Sequence, residues 1–250
     1  MNIILAIKKY NQTVIIALSS LLITLFTYLT PPGILADLLP QLSLFADLEG
    51  DLPHYITRFF LSLLLFAVIP IVYTKSAGNK LSSLGLNKSI NNPLKDKFYL
   101  FLILLCLAIG ISSAYNQSLS LFYPYSKTLT HLVITKSWIY FPIHVVSYIV
   151  FYYLPWEIFF RGFLILPFLP SLKNGDKTIT PQLIMIASFQ VIPSSIIHFG
   201  HPLSETLGAI PFGIICGWLV LKYRSILPGL LLHLITGITM DLIITVKAAF

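Results

Sequence analysis

Long apolar stretches recur along the whole chain, and they constrain the fold more than any other feature of the sequence. Hydrophobic residues make up 56% of the 250 positions and charged residues only 10%, whereas a typical soluble domain has about 25% charged residues. A run of about 20 apolar residues can cross the hydrocarbon core of a bilayer as a helix. The sequence therefore predicts an integral membrane protein with an all-α fold, a polytopic transmembrane helical bundle.

The length rule predicts about seven spans with connecting loops. The apolar stretches cover residues 14–30, 55–73, 98–115, 138–169, 181–198, 203–221 and 226–246. The fourth is too long for one untilted span and contains Pro155, where a proline can kink a helix or start a new one. We therefore expect a break near Pro155, and a single membrane domain over residues 1–250.

Lysine and arginine residues mostly lie between the apolar stretches and predict the topology. Lys8 and Lys9 precede the first stretch, and further lysines cluster between the second and the third. The positive-inside rule then predicts a cytoplasmic N-terminus. The net charge of +7 alone would suggest nucleic acid, but the chain has no Gly-rich phosphate loop and no basic–aromatic interleaving. We expect the lipid bilayer, and not nucleic acid, as the partner of these charges.

Glu157 and Arg161 lie inside the fourth stretch, with apolar and aromatic residues on both sides. Because they are four residues apart, they share one face of a helix and can pair. A charge at membrane depth costs at least a few kcal/mol, so it normally has a partner and a function. A purely structural ion pair is the alternative, but lipid-like surroundings favour a functional pair.

The later spans carry further ionisable residues. These are His198, Glu205, His233 and Asp241. His198 and Glu205 are seven residues apart, and His233 and Asp241 are eight apart, so each pair lies near one face of a continuous helix. Each carboxylate then lies about two turns from its histidine, roughly 10–12 Å along the helix, and we expect both carboxylates in supporting roles at the site.

Two other histidines have less distinctive surroundings. His144 has no acidic residue near it in the sequence, which predicts an ordinary hydrogen-bonded core residue. His201 lies in the turn 200–202 and is expected to be exposed. Along their spans, His198 and His233 lie at different depths, so they meet only if the helices are offset, tilted or re-entrant around this turn.

The pattern Glu157-x-x-x-Arg161-Gly, a Ser-Ile-Ile-His198 run and a Ser-Ile-Leu-Pro segment before His233 resemble the CPBP family. This is the CAAX protease and bacteriocin-processing family, also called Abi, which includes the type II CAAX prenyl proteases. The resemblance covers residues 138–246, a CAAX-protease-like core that follows N-terminal spans and loops at 1–137.

The resemblance implies an intramembrane endopeptidase in which a glutamate and a histidine activate a water. The substrate would be a membrane peptide or protein, either prenylated or carrying a C-terminal signal, in the plasma (inner) membrane of a prokaryote. The implied catalytic set is Glu157, Arg161, His198 and His233, with Glu205 and Asp241 in support.

The family motifs are Glu-Glu-x-x-x-Arg, Phe-x-x-x-His and His-x-x-x-Asn, and this chain departs from each. Trp156 replaces the first Glu, Ser194 the Phe, and Gly237 the Asn. The first Glu usually has the general-base role, so Glu157 would have to act as the base here. Glu205 or Asp241 would then supply the carboxylate that the family's Glu-Glu pair has and this chain lacks.

These departures leave alternatives open. Trp156 and Gly237 also fit a non-catalytic member of the fold, with a scaffold or bacteriocin-immunity role. A proton-coupled transporter with a Glu/His site is a third candidate, although it predicts inverted repeats that the sequence lacks.

A metal site is the alternative to direct water activation. Glu157, His198 and His233 could form a two-His, one-carboxylate set like those of catalytic zinc sites. Arg161 competes for Glu157, and a cation one turn away disfavours a second cation nearby. We therefore expect a metal-free mechanism without a cofactor, with a divalent metal such as zinc as the alternative.

Overall fold

The computed structural model describes residues 11–31, 34, 49–169 and 180–250. Within these residues the chain forms helices and no strand. The longer helices are α1 (Asn11–Leu29), α2 (Leu52–Ser76), α3 (Lys97–Ser113), α4 (Gln117–Phe122), α5 (Lys127–Thr135), α6 (Tyr140–Phe168), α7 (Pro181–Ile197), α8 (Leu203–Tyr223) and α9 (Leu227–Ala249). The all-α bundle predicted from the sequence is therefore confirmed.

Five helices of the described part, α1, α2, α6, α8 and α9, are long and apolar enough to cross a membrane. Helices α3 and α7 are apolar but shorter. Together they correspond to the seven predicted stretches, and the chain is an integral membrane protein. Lys8 and Lys9, on which the predicted orientation rests, lie outside the described residues.

Helix α6 lies at the centre of the bundle. Its apolar window is 72% buried, against 22% for α1, because aromatic side chains cover it on several sides. Phe66 of α2 stacks on Phe159 with ring centroids 4.6 Å apart and meets Phe160 edge-on at 5.7 Å. Gly162 lets the backbone of Leu84 approach, since a Cβ there would lie 2.5 Å from the Leu84 carbonyl oxygen. The charged residues of α6 are thus held in a packed interior.

The break that we expected at Pro155 is wrong, because α6 continues through it. A π-helical turn, Ile149–Tyr153, directly precedes the proline, and a second, Ile158–Phe163, follows it. Hydrogen bonds in a π-turn skip one more residue than in an α-helix. The shifted register accommodates the missing N–H of Pro155 without a change of helix.

The chain does break between α7 and α8. Helix α7 ends at Ile197, and Gly200 adopts a left-handed φ of 93° before α8 begins at Leu203. Glycine adopts this conformation without steric cost. His198, which directly follows α7, and Glu205 of α8 therefore lie on either side of the turn expected at 200–202, and do not share the face of one continuous helix.

Candidate active site

Glu157 contacts Arg161 within α6 and joins α6 to α9 through His233. Its Oε1 accepts from Nδ1 of His233 at 3.2 Å, and its Oε2 lies 3.5 Å from Nε of Arg161. Glu157 is fully buried, and Arg161 is 2% exposed. The predicted pairing of Glu157 with Arg161 is confirmed, and His233 joins it from a different helix. We call these three residues the Glu157 cluster.

A second carboxylate, Glu205, lies in the first turn of α8. Its Oε1 accepts from His201 Nδ1 at 2.8 Å and from the Tyr123 hydroxyl at 2.6 Å. The same oxygen lies 3.8 Å from Nε2 of His198. Glu205 Oε2 is buried and has no hydrogen-bond partner among the described residues. The Glu205 cluster consists of these four residues and Arg58.

Arg58, from α2, anchors the Glu205 cluster. Its Nη2 lies 3.1 Å from His201 Nε2 and 3.3 Å from the Tyr152 hydroxyl, and its guanidinium lies 4.4 Å above the centre of the Tyr125 ring. No role was predicted for Arg58 from the sequence, although a lone arginine in an apolar span is itself a signal. The expectation of an exposed His201 is wrong, since that side chain is only 8% exposed.

The hydrogen-bond partners fix which ring nitrogen of each histidine carries a proton. A guanidinium only donates, so Nε2 of His201 accepts and its Nδ1–H donates to Glu205. His198 Nδ1 lies 2.6 Å from the Ser194 carbonyl oxygen, which only accepts, so this nitrogen carries the proton. His233 Nδ1 likewise donates to the Glu157 carboxylate. Among the described residues, Nε2 of His198 and Nε2 of His233 have no direct hydrogen-bond partner.

Both histidines line one cavity of about 410 Å³ between α3, α6, α8 and α9. Its polar lining includes Ser194, Arg161 and Glu205, and its apolar lining comes largely from α3, α8 and α9. Glu157 is absent from the lining and lies behind His233. This position favours an orienting role for Glu157, and not the base role that the sequence suggested.

Asp241 contacts neither His198 nor His233 in the described structure, and its contacts do not favour the supporting role at the site that we expected. Its Oδ2 lies 3.0 Å from Nε2 of His144, and Nδ1 of His144 lies 2.9 Å from the Tyr55 hydroxyl. His144 is thus the buried, hydrogen-bonded core residue that we expected. The His144–Asp241 pair joins α6 to α9 away from the two clusters. Packing between helices, and not spacing along α9, decides which histidine Asp241 contacts.

Trp156 occupies the wall beside His198. Its indole meets the His198 ring edge-on with centroids 5.5 Å apart, and it stacks on Tyr152 at 5.7 Å. The residue is 3% exposed. An apolar ring thus covers the face of His198 that a carboxylate on α6 would otherwise reach, and the nearest carboxylate comes from α8.

The described residues offer no group of three His, Cys, Asp or Glu side chains placed to hold a metal ion. Of the proposed ligand set, Glu157 contacts His233, whereas His198 contacts Glu205. Arg161 already places a cation beside Glu157, and Arg58 holds the histidine that contacts Glu205. The expected alternative of a Glu157, His198 and His233 zinc site does not fit this geometry.

Comparison with known proteins gives one match. Residues 137–239 match the family described as type II CAAX prenyl endopeptidase Rce1-like. No curated protein and no solved structure matches the chain. The matched range contains the whole Glu157 cluster, but of the Glu205 cluster it leaves out Arg58 and Tyr123.

Proposed function

We propose that this protein is a member of the CPBP family of CAAX-type proteases, whose model matches residues 137–239, and that it is an intramembrane endopeptidase. The observation that carries the proposal is a pair of histidines on one cavity, His198 and His233, each with Nδ1 bonded to an oxygen and Nε2 free. Amide hydrolysis needs a base for water, a donor for the oxyanion and an acid for the leaving amine. Two imidazoles held in this way supply a base and an acid.

His198 is proposed as the base. Its Nε2 and Glu205 Oε1 are both acceptors, and their separation of 3.8 Å exceeds a direct hydrogen bond. A water between them can donate to both. His198 takes a proton as the water oxygen bonds to the scissile carbonyl carbon. Glu205, kept ionised by two donors and by Arg58 beyond them, stabilises the imidazolium that forms.

His233 is proposed as the acid. Glu157 accepts from its Nδ1, as the carboxylate of a catalytic triad orients its histidine, and Arg161 compensates the charge of Glu157. Protonated Nε2 of His233 gives its proton to the leaving nitrogen as the C–N bond breaks. The proton held by His198 returns to His233 through water before the next turnover.

The substrate is proposed to be a membrane-associated peptide, with a prenylated C-terminal segment as the first candidate. Beside its polar residues, the cavity is lined by Leu102, Leu105 and Ile109 of α3 and by Phe212 and Ile215 of α8. Apolar walls of this kind favour a lipid-modified or strongly hydrophobic peptide. The plasma membrane of a prokaryote and a cytoplasmic N-terminus remain predictions.

One observation favours a second candidate, a non-catalytic scaffold or immunity protein of the same fold. The Trp156 ring lies where a carboxylate from α6 would reach His198. If Glu205 does not compensate for that carboxylate, the cavity binds peptides without cleaving them.

The test is cleavage of defined peptides by the purified chain in lipid nanodiscs. Two peptides of one sequence are compared, one with a farnesylated cysteine near its C-terminus and one unmodified, and products are identified by mass spectrometry. We expect cleavage of the farnesylated peptide and loss of cleavage in His198→Ala. Binding of the peptide without any product from the wild type would favour the non-catalytic candidate.

A further inference from the structure

Tyr153 of α6 reaches across to α9 and lies directly against Gly237. A Cβ built at Gly237 would lie 1.7 Å from the Tyr153 hydroxyl oxygen and 2.8 Å from its Cζ. No larger residue fits at 237 unless this tyrosine moves. The hydroxyl therefore occupies the volume in which a side chain at 237 would lie.

The same hydroxyl is close to the proposed acid. The Tyr153 and His233 rings have centroids 4.5 Å apart, and His233 and Gly237 lie one turn apart on the same face of α9. All three residues line the cavity. Tyr153 is 5% exposed, so its hydroxyl lies in a largely water-excluded wall where a hydrogen bond to a developing charge is strong.

We propose that Tyr153 is a catalytic residue whose hydroxyl donates a hydrogen bond to the oxyanion of the tetrahedral intermediate. This inference rests on the proposed endopeptidase function. As the water oxygen bonds to the carbonyl carbon, the C=O electron pair moves to oxygen, and Tyr153 O–H binds that oxygen while keeping its proton. The electron pair on the oxyanion re-forms the C=O bond when the C–N bond breaks.

The packing of the Tyr153 ring is compatible with this role. The Tyr148 and Tyr153 rings meet edge-on with centroids 4.5 Å apart. A phenolic O–H can donate one hydrogen bond. Tyr148 on one side and Gly237 on the other therefore hold the Tyr153 ring in place, while its hydroxyl can donate to the substrate.

The test compares Tyr153→Phe with Tyr99→Phe, using the farnesylated peptide and the full chain in nanodiscs. Tyr99 is a buried tyrosine of α3 whose hydroxyl donates to the Pro228 carbonyl at 2.9 Å, outside the cavity lining. Loss of one oxyanion donor lowers kcat by about 10²–10³-fold. We expect that loss, with unchanged KM, in Tyr153→Phe, and a change of less than about threefold in Tyr99→Phe.

A second variant separates a catalytic role from a packing role. In Gly237→Ala the added Cβ displaces the Tyr153 hydroxyl, so we expect a similar fall in kcat. Because both changes remove the same hydrogen bond, the one donated by the Tyr153 hydroxyl, the double variant should be no slower than the slower single variant. If the two changes lower kcat by independent factors that multiply in the double variant, or if Tyr153→Phe keeps the wild-type kcat, the role of Tyr153 is overturned and the proposed endopeptidase function is not. A wild-type chain that cleaves no peptide would instead overturn the proposed function, and the inference with it.

Discussion

The Glu157 cluster and the Glu205 cluster contain the same three kinds of residue, an arginine, a glutamate and histidine, but they differ in access. Glu157 is fully buried with a cation and an imidazole on its two oxygens, whereas the Glu205 side chain is 19% exposed and lines the cavity. Glu157 is placed to hold His233, whereas Oε1 of Glu205 lies 3.8 Å from Nε2 of His198 at the cavity. This difference in access is the basis of the two proposed roles, orientation of His233 by Glu157 and water activation beside Glu205.

The clusters also differ in where their residues come from. Every member of the Glu157 cluster lies within the matched range 137–239. The Glu205 cluster needs Arg58 from α2 and Tyr123 from the segment between α4 and α5. The N-terminal half of the chain therefore contributes directly to the cavity, and a fragment without it would lose the residues that hold Glu205.

The largest effect is expected for His198→Ala, which removes the proposed base. General-base catalysis contributes about 10²–10⁴-fold, so kcat should fall by that factor while the peptide still binds. The control is His144→Gln, which changes a buried histidine outside both clusters and keeps polar reach towards Asp241. Equal loss of kcat in the two variants would contradict the assignment of His198, and thermal unfolding shows whether either variant is merely unstable.

Glu157→Gln and Glu205→Gln test the comparison itself. Removing the Glu157 charge strands the buried Arg161 and frees His233, so we expect a loss of about 1–3 kcal/mol in stability as well as activity. Glu205→Gln keeps an acceptor for His201 and Tyr123 and is partly exposed, so stability should change less while kcat falls. Urea titration and initial rates measure the two effects. A larger stability loss in Glu205→Gln would reverse our reading of the clusters.

Arg58→Met is expected to act through His201. Without the guanidinium, nothing fixes the tautomer of His201, so its Nδ1–H no longer holds Glu205 reliably. We expect kcat to fall about tenfold, the cost of about one hydrogen bond to a charged group, with KM little changed. His201→Ala should show a similar loss, and the double variant no more. Full activity in both single variants would show that Glu205 needs no support from α2.

The smallest effect concerns Asp96, a carboxylate outside both clusters that serves as a reference. Hydrogen bonds from Lys222 and from Tyr223 lower its pKa to about 2, and its side chain also accepts from Phe98 N–H at the start of α3. A lowered pKa in the folded state stabilises the protein above the unfolded value near 4, and this contribution disappears as the pH falls towards 2. Thermal unfolding between pH 5 and about 2.5 should show a smaller decline in Asp96→Asn than in the wild type. Parallel declines would show that the contacts of Asp96 with Lys222 and Tyr223 do not contribute to the stability of the fold.

Much of the fold could be predicted from the sequence, because apolar length and helical spacing are local properties. The seven apolar stretches correspond to helices, and the four-residue spacing of Glu157 and Arg161 identifies a real ion pair. Pro155 misled the prediction because a proline signals a break, whereas the π-turns on both sides absorb it. Such compensation depends on the packed neighbours of α6 and leaves no simple signature in the sequence.

Only part of the candidate site could be predicted from the sequence. His198 and His233 do line one cavity, but Asp241, which was expected in a supporting role, pairs with His144 away from it. Helical spacing identifies neighbours on one helix and is silent about contacts between helices. Arg58 was overlooked for the same reason, since its partners are more than 60 residues away in the chain.

The most direct test of the central claim is single-turnover cleavage of the farnesylated peptide in ¹⁸O-labelled water, read by mass spectrometry. The account predicts one ¹⁸O atom in the new C-terminal carboxylate with the wild-type chain, slower labelling with Glu205→Gln, and no labelled product within the same time with His198→Ala. Two results would contradict the claim that His198 and Glu205 activate water in this cavity. One is a peptide that carries no ¹⁸O after incubation with the wild type or with either variant, and the other is equal labelling by the wild type and His198→Ala.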